Sequence, residues 1–347
     1  SNTPLLSETG ELQPTRLAVI IAQQLIALGG ADHLQPRIDA LVKAEPEKLL
    51  DLIERKPHYC SGCPHNTSTK APEGSRVLGG IGCHYMALWM DRKTETFSQM
   101  GGEGVAWVGT APFTDEKHIF ANLGDGTYYH SGLMAIRAAI AGNINITYKL
   151  LFNDAVAMTG GQPVDGPLSV PQITKQLAAE GVKRIVVVSD EPDKYGKNAD
   201  FADDVEIEHR SELERIQREL REVEGVTVIV YDQTCAAEKR RRRKRGKFPD
   251  PARRVVINEL VCEGCGDCSV KSNCLSVVPV ETEFGTKRGI DQSSCNKDFS
   301  CINGFCPSFV TIEGGELRKP AATGIEGLPE PAEITPPVLN GPWHGLI

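Results

Sequence analysis

The sequence predicts an α/β fold: a parallel sheet covered by helices on both faces, with a small cysteine-rich domain appended. Three observations point to it. Nearly continuous apolar runs lie at 118–123, 147–152, 184–189 and 226–231. Helical patterns fill the intervals at 129–142, 170–180 and 211–224. Seven of the eleven cysteines crowd between 262 and 306. Strands apolar throughout suit a sheet buried on both faces, and parallel neighbours need crossovers long enough to hold a helix.

Composition narrows the function classes. At about 150 residues per domain, 347 residues leave room for two or three domains. Lys and Arg number 38 against 46 Asp and Glu, a net charge of −8, so bulk charge argues against a nucleic-acid binder. No run approaches the ~18 apolar residues of a membrane span, and the polar N-terminus does not read as a signal peptide. A cytoplasmic setting is expected, where metal sites suit clustered cysteines better than disulfides.

Residues 1–58 read as a helical connecting segment. Leu17, Ile20, Ile21, Leu25 and Leu28 recur at helical spacing before Gly29-Gly30, and Leu41, Leu49, Leu50 and Ile53 continue the stripe. Residues 59–238 hold the α/β domain. Its clearest helix, 211–224, opens on a Ser211–Glu214 capping box and presents Leu213, Ile216, Leu220 and Val223 on one face. Ligands of such sheets sit at the carboxyl ends of strands, which directs attention to the loops after 123, 152 and 189. The run KRRRRKR, Lys239 to Arg245, reads as a basic linker over 239–254. The cysteine-dense domain spans 255–315. A proline-rich stretch, 316–347, reads as a linker to a further domain, so the chain is expected to be part of a longer one.

Cys262-x2-Cys265-x2-Cys268 is the compact run that holds three corners of an iron–sulfur cluster, and Cys306, followed by Pro307, supplies the fourth. Thiolates suit iron as soft, anionic donors. In two-cluster order Cys274 then belongs to a second cluster with Cys295 and Cys301. Asp298 stands midway between the latter two, where a thiolate would be expected. It either ligates the fourth iron, leaves the site one iron short, or is a solvated loop residue. Cys60-x2-Cys63 alone would fit zinc equally well. Cys83 after the Gly79–Gly82 loop and Cys235 after the strand 226–231 complete a third set. Two sets of four and one of three account for all eleven.

Gly124-Asp125-Gly126 follows one strand and opens a helix, where glycines let a phosphate approach the backbone and the helix N-terminus favours it. Asn153-Asp154-Ala155 closes the next strand. Asp, Asn and free carbonyls are the hard oxygen donors that magnesium needs. Alone the first motif is a tight turn; with the second it becomes a thiamine diphosphate signature.

These motifs resemble the thiamine-diphosphate domain of 2-oxoacid:ferredoxin oxidoreductases. The strings YCSGCPHNTST (59–69), GDGTYYHSG (124–132), FNDAVAMTGGQP (152–163) and CNKDFSCINGFCP (295–307) resemble the fused bacterial indolepyruvate ferredoxin oxidoreductases. The resemblance implies a parallel-sheet thiamine-diphosphate-binding domain followed by a ferredoxin-like iron–sulfur domain. Asp125 and Asn153 would ligate magnesium through side chains and Ala155 through its carbonyl. Gly124, Gly126, Thr127, Val156 and Cys83 would border the cofactor, and His130 would touch the diphosphate or merely cap the helix. Cys60, Cys63, Cys83 and Cys235 would hold the proximal of three 4Fe-4S clusters. His65 stands where pyruvate enzymes carry a cofactor-contacting glutamate, and Met158 where they carry a catalytic-pocket asparagine. Both departures imply a larger, less polar pocket.

The implied activity is oxidative decarboxylation of an arylpyruvate, of indolepyruvate or phenylpyruvate type. Coenzyme A would be the co-substrate and ferredoxin the electron acceptor. The alternatives are another 2-oxoacid, branched-chain or pyruvate, or a non-catalytic electron-relay subunit. The glutamate that activates the aminopyrimidine would lie on a partner half, so residues 1–347 alone are expected not to turn over. Further domains of the same enzyme and a homo-oligomer are the partners implied. Nucleic acid and membrane are not among them.

Overall fold

The computed structural model describes residues 5–6, 13–44, 56–164, 166–196 and 198–315. The chain divides into two compact units, residues 1–57 and 58–347. In the first, helices α1 (Pro14–Leu28) and α2 (Gln35–Ala44) pack together, with Ile38 buried and Ile21, Leu25 and Leu28 exposed. Leu49, Leu50 and Ile53 lie outside the described residues.

The second unit is built on strands β1 (Val77–Gly79), β2 (Thr94–Phe97), β3 (Ile119–Gly124), β4 (Ile146–Phe152), β5 (Arg184–Ser189), β6 (Glu206–His209) and β7 (Val226–Asp232). They form one sheet in the order β2-β1-β3-β4-β7-β5-β6, with every pairing parallel. The two-residue side-chain period divides each central strand between two cores. On β5, Ile185 and Val187 join one core while Val186 and Val188 join the other. On β7, Val226, Val228 and Val230 face the first core and Ile229 and Tyr231 the second. The first core is covered by α3 (Leu133–Ala141) and α4 (Val170–Glu180), the second by α5 (Leu213–Leu220).

Two helix starts differ from the sequence expectation. The Ser211–Glu214 capping box does not form, because residues 210–212 make a 3-10 turn and α5 begins at Leu213. Glu214 pairs with Arg218 at 2.7 Å instead. A capping box does open α4: the Ser169 hydroxyl accepts from the Gln172 N–H at 3.4 Å, and the Gln172 side chain accepts from the Ser169 N–H at 2.8 Å. The expected helix over 129–142 is interrupted by a π turn at Tyr128–Gly132.

The basic run is helical rather than an extended linker. Helix α6 (Ala236–Lys244) carries Glu238 in its first turn and four basic residues in its last, the arrangement the helix dipole favours. Four of the seven basic residues 239–245 are ion-paired. Lys239 pairs with Asp190 at 2.6 Å, Arg242 with Asp154 at 2.6 Å, Arg243 with Asp250 at 3.6 Å, and Arg241 with Glu238. The cysteine-dense segment forms two antiparallel pairs: β8 (Arg253–Ile257) with β11 (Phe309–Glu313), and β9 (Val277–Thr282) with β10 (Gly285–Ile290). Helix α7 (Asp267–Ser272) lies between β8 and β9. Among the described residues no helix is long and apolar enough to cross a membrane.

Candidate functional site

Strands β3, β4 and β7 are neighbours, so their carboxyl ends bring three loops side by side. Asp125 follows β3 and is 5% exposed. Its Oδ2 accepts from the backbone N–H groups of Asn153 at 2.8 Å and Asp154 at 3.1 Å, and Oδ1 from that of Gly126 at 2.8 Å. The carboxylate thus ties the loop after β3 to the loop after β4. Burial pushes its pKa up to about 6 against the pull of those three donors.

The next loop carries an unsatisfied acceptor. Asn153 is 8% exposed and its side-chain oxygen has no hydrogen-bond partner. Such an orphan costs free energy unless something binds it, and a hard cation is what an amide oxygen beside a carboxylate suits. Asp154 adopts the left-handed conformation, φ 59°, which directs its carboxylate to Arg242. Ala155 is buried, and the loop closes where the Val156 N–H donates to Gln162 at 2.9 Å and that of Gly161 to Val156 at 3.0 Å. A cavity of about 320 Å3 opens here, lined by Asp125, Tyr129, Phe152, Asp154, Glu238 and Arg242 among others. Gly161 takes φ 83°, a conformation strained for any L side chain, and a Cβ there would also displace the Glu238 carboxylate.

The sequence-derived residues separate into groups. Gly124, Asp125, Gly126 and Thr127 share one turn, with Thr127 buried. Asn153, Ala155 and Val156 stand opposite on the next loop. His130 lies exposed on the π turn and Met158 is 52% exposed on the turn Ala157–Thr159. His65 is buried at the start of the short helix His65–Ser68, its Nδ1 3.3 Å from the Ser68 hydroxyl. Burial lowers its pKa to about 4, which leaves the ring neutral near pH 7.

The cysteines are all free thiols. Cys63 is pushed well up by burial and then by Cys60, Cys235 and Cys83. Cys83 is pushed up to about 11 by burial and then by Cys235 and Cys60. Cys262, Cys265, Cys268 and Cys306 line one cavity together with Cys301, and Cys301 also lines a second one with Cys274, Cys295 and Asp298. Burial, then Cys274 and Cys295, pushes Cys301 up to about 12. Among the described residues no three such groups close on a single-ion centre.

Two contacts join the first cysteine set to the oxygen-rich loops. The Cys235 N–H donates to the Asn153 carbonyl at 3.0 Å. His84, next to Cys83, is buried and packs over Gly124, where a Cβ would meet its Cε1 at 3.4 Å. Sequence reasoning passed over His84, although its place beside Cys83 was a signal. It also passed over Arg242, hidden within a run read as linker, and Glu238, the residue just before that run.

A glycine–aspartate turn and an asparagine loop at adjacent strand ends of an all-parallel sheet define a thiamine-diphosphate-binding α/β domain. The family model "Thiamine pyrophosphate enzyme, C-terminal TPP binding domain" matches residues 80–231, the span from the loop before Cys83 to the end of β7. More particularly, the chain is similar to indolepyruvate oxidoreductase subunits. It is 29% identical over 297 residues to indolepyruvate oxidoreductase subunit IorA of Thermococcus kodakarensis, covering 78% of this chain and 43% of that protein. The same subunit of Pyrococcus horikoshii is 29% identical over 298 residues, with 78% and 43% covered. That of Archaeoglobus fulgidus is 25% identical over 278 residues, with 77% and 41% covered. The chain thus spans less than half the length of these relatives. Among solved structures, 2-oxoglutarate:ferredoxin oxidoreductase from Magnetococcus marinus matches at TM-score 0.41 and 16% identity, covering 59% of this chain and 72% of that one.

Proposed function

We propose that this chain is the thiamine-diphosphate-binding and electron-relay part of an indolepyruvate-type 2-oxoacid:ferredoxin oxidoreductase, fused in one polypeptide with its remaining domains. The reaction is oxidative decarboxylation of an arylpyruvate with coenzyme A to the aryl-acyl-CoA and carbon dioxide, with electrons leaving through iron–sulfur clusters to ferredoxin. One observation carries the reading: the hydrogen bond from Cys235 to the Asn153 carbonyl, which couples a cysteine set directly to the cofactor loop.

When bound, thiamine diphosphate supplies the electron sink for loss of carbon dioxide from a 2-oxoacid. Asp125 and Asn153 hold magnesium through their side chains and Ala155 through its carbonyl, a role that the orphan Asn153 oxygen supports. Gly124, Gly126, Thr127 and Val156 border the diphosphate. Cys60, Cys63, Cys83 and Cys235 hold the cluster nearest the cofactor. By the resemblance His65 and Met158 would border the substrate, and a neutral histidine and a thioether suit an aryl group better than a glutamate and an asparagine. The Cys274 set would hold the next cluster of the relay, since Asn296, beside Cys295, donates to the Ser61 carbonyl at 2.7 Å between Cys60 and Cys63. The relay leaves through the Cys262 set, whose cavity includes Phe305, 97% exposed.

The test is an anoxic, coenzyme-A-dependent viologen assay of the full-length enzyme across arylpyruvates, branched-chain 2-oxoacids and pyruvate. Preferential turnover of arylpyruvates is expected. Turnover of pyruvate alone would overturn the substrate assignment, and failure to bind magnesium–thiamine diphosphate would leave only an electron-relay subunit.

A further inference from the structure

The carboxylate inside the second cysteine motif is already engaged. The Asp298 side chain is 9% exposed. Its Oδ1 accepts from Arg210 at 2.5 Å and from the Gln233 amide at 3.0 Å, and Oδ2 accepts from the Ser300 hydroxyl. The second guanidinium nitrogen of Arg210 donates to the Asp298 carbonyl at 2.7 Å. Charge-assisted bonds of this kind are the strong ones, and Arg210 is itself only 16% exposed. Turning the carboxylate toward iron would break the charged part of this pairing and leave a largely buried guanidinium with the Asp298 carbonyl alone.

The backbone holds the same arrangement. Lys297 and Phe299, on either side of Asp298, both take left-handed conformations, φ 53° and 61°, which non-glycine residues adopt only where their surroundings impose it. Asp298 also packs against the loop between Cys60 and Cys63: a Cβ on Gly62 would lie 2.9 Å from that of Asp298. Gln233 stands two residues before Cys235. The side chain therefore joins the second cysteine set to the first.

We propose that Asp298 is a positioning residue and not an iron ligand. The thiolates of Cys274, Cys295 and Cys301 hold a three-iron cluster, and the Arg210–Asp298 clamp seats that cluster against the Cys60–Cys63 loop. This rests on reading the cysteine sets as iron–sulfur sites. A thiolate-only donor set also suits iron better than one hard carboxylate among three soft sulfurs.

The experiment is Mössbauer and EPR spectroscopy, with iron and sulfide analysis, on the full-length enzyme purified without oxygen. The EPR signal of an oxidised three-iron cluster is expected, and it should survive anoxic incubation with ferrous iron and reductant. In Asp298→Asn the cluster should keep its three irons but its signal should shift in line shape as the clamp is lost, an unaltered line shape overturning the positioning role. The signal should be lost in Cys274→Ser, and replaced in Asp298→Cys by that of a four-iron cluster with about one more iron per chain. A four-iron cluster at this site in the native enzyme overturns the proposal, whether or not the variants fold. Conversion of that cluster to a three-iron form by Asp298→Asn would make Asp298 a ligand. Iron and sulfide unchanged in Cys274→Ser would instead overturn the underlying cluster reading.

Discussion

Replacing Asn153 by alanine should move stability and cofactor affinity in opposite directions. The Asn153 side-chain oxygen is buried without a partner, and a buried orphan acceptor costs about 1–3 kcal/mol. Truncation removes that penalty and forfeits a few van der Waals contacts at about 0.1–0.2 kcal/mol each. The net expectation for the cofactor-free protein is a gain of about 1 kcal/mol, or a Tm about 2–4 °C higher for a domain of this size. Magnesium–thiamine diphosphate should bind more weakly. Loss of even an outer-shell partner costs about 10–100-fold in metal affinity, and loss of a ligand should cost at least that. Thermal scans with and without magnesium–thiamine diphosphate, together with titration calorimetry, measure both effects. A variant that is destabilised without cofactor and binds it as tightly as the native protein would refute the assignment of Asn153 as a magnesium ligand.

Arg242→Gln removes one ion pair to Asp154, which is 53% exposed, and a looser one to Glu238, which keeps Arg241, so stability should fall by about 1 kcal/mol. Cofactor affinity should nevertheless fall about 10-fold, because Arg242 holds the loop that carries Asn153; calorimetry reads it. Leu220→Ala, at a fully buried position of the second core, should cost about 2–5 kcal/mol in urea unfolding, and a cost below about 1 would contradict the packing described. Glu103 is buried, and burial pushes its carboxyl up to about 7 from an ordinary 4.5. The folded state therefore holds the proton more tightly, and stability falls as pH rises from about 4.5 through 7. Glu103→Gln should flatten that part of the stability–pH profile, and an unchanged slope would count against it.

The four central strands were legible because each is mostly apolar on both faces, and α4 was legible by its period. The edge strands β2 and β6 were not, since an edge faces water on one side and Thr94–Phe97 and Glu206–His209 carry polar side chains there. β1 has only three residues, too few to show a period. The capping box was misplaced because its residue types occur at both Ser169 and Ser211, and only the helix start decides which pair can close. The basic run looked like a linker because its counter-charges, Asp154, Asp190 and Asp250, lie elsewhere in the chain.

The sequence by itself determined the chemistry of the candidate ligands. Spacing as short as Cys-x2-Cys or Gly-Asp-Gly puts donor atoms within reach of one group whatever the rest of the chain does. Only the tertiary structure decided what each ligand faces. Asp298 meets an arginine 88 residues away, and Cys235 meets Asn153 across two adjacent strand ends. Those partners are set by the order in which parallel strands assemble. That order follows from burying two apolar faces at once and leaves no local trace in the chain.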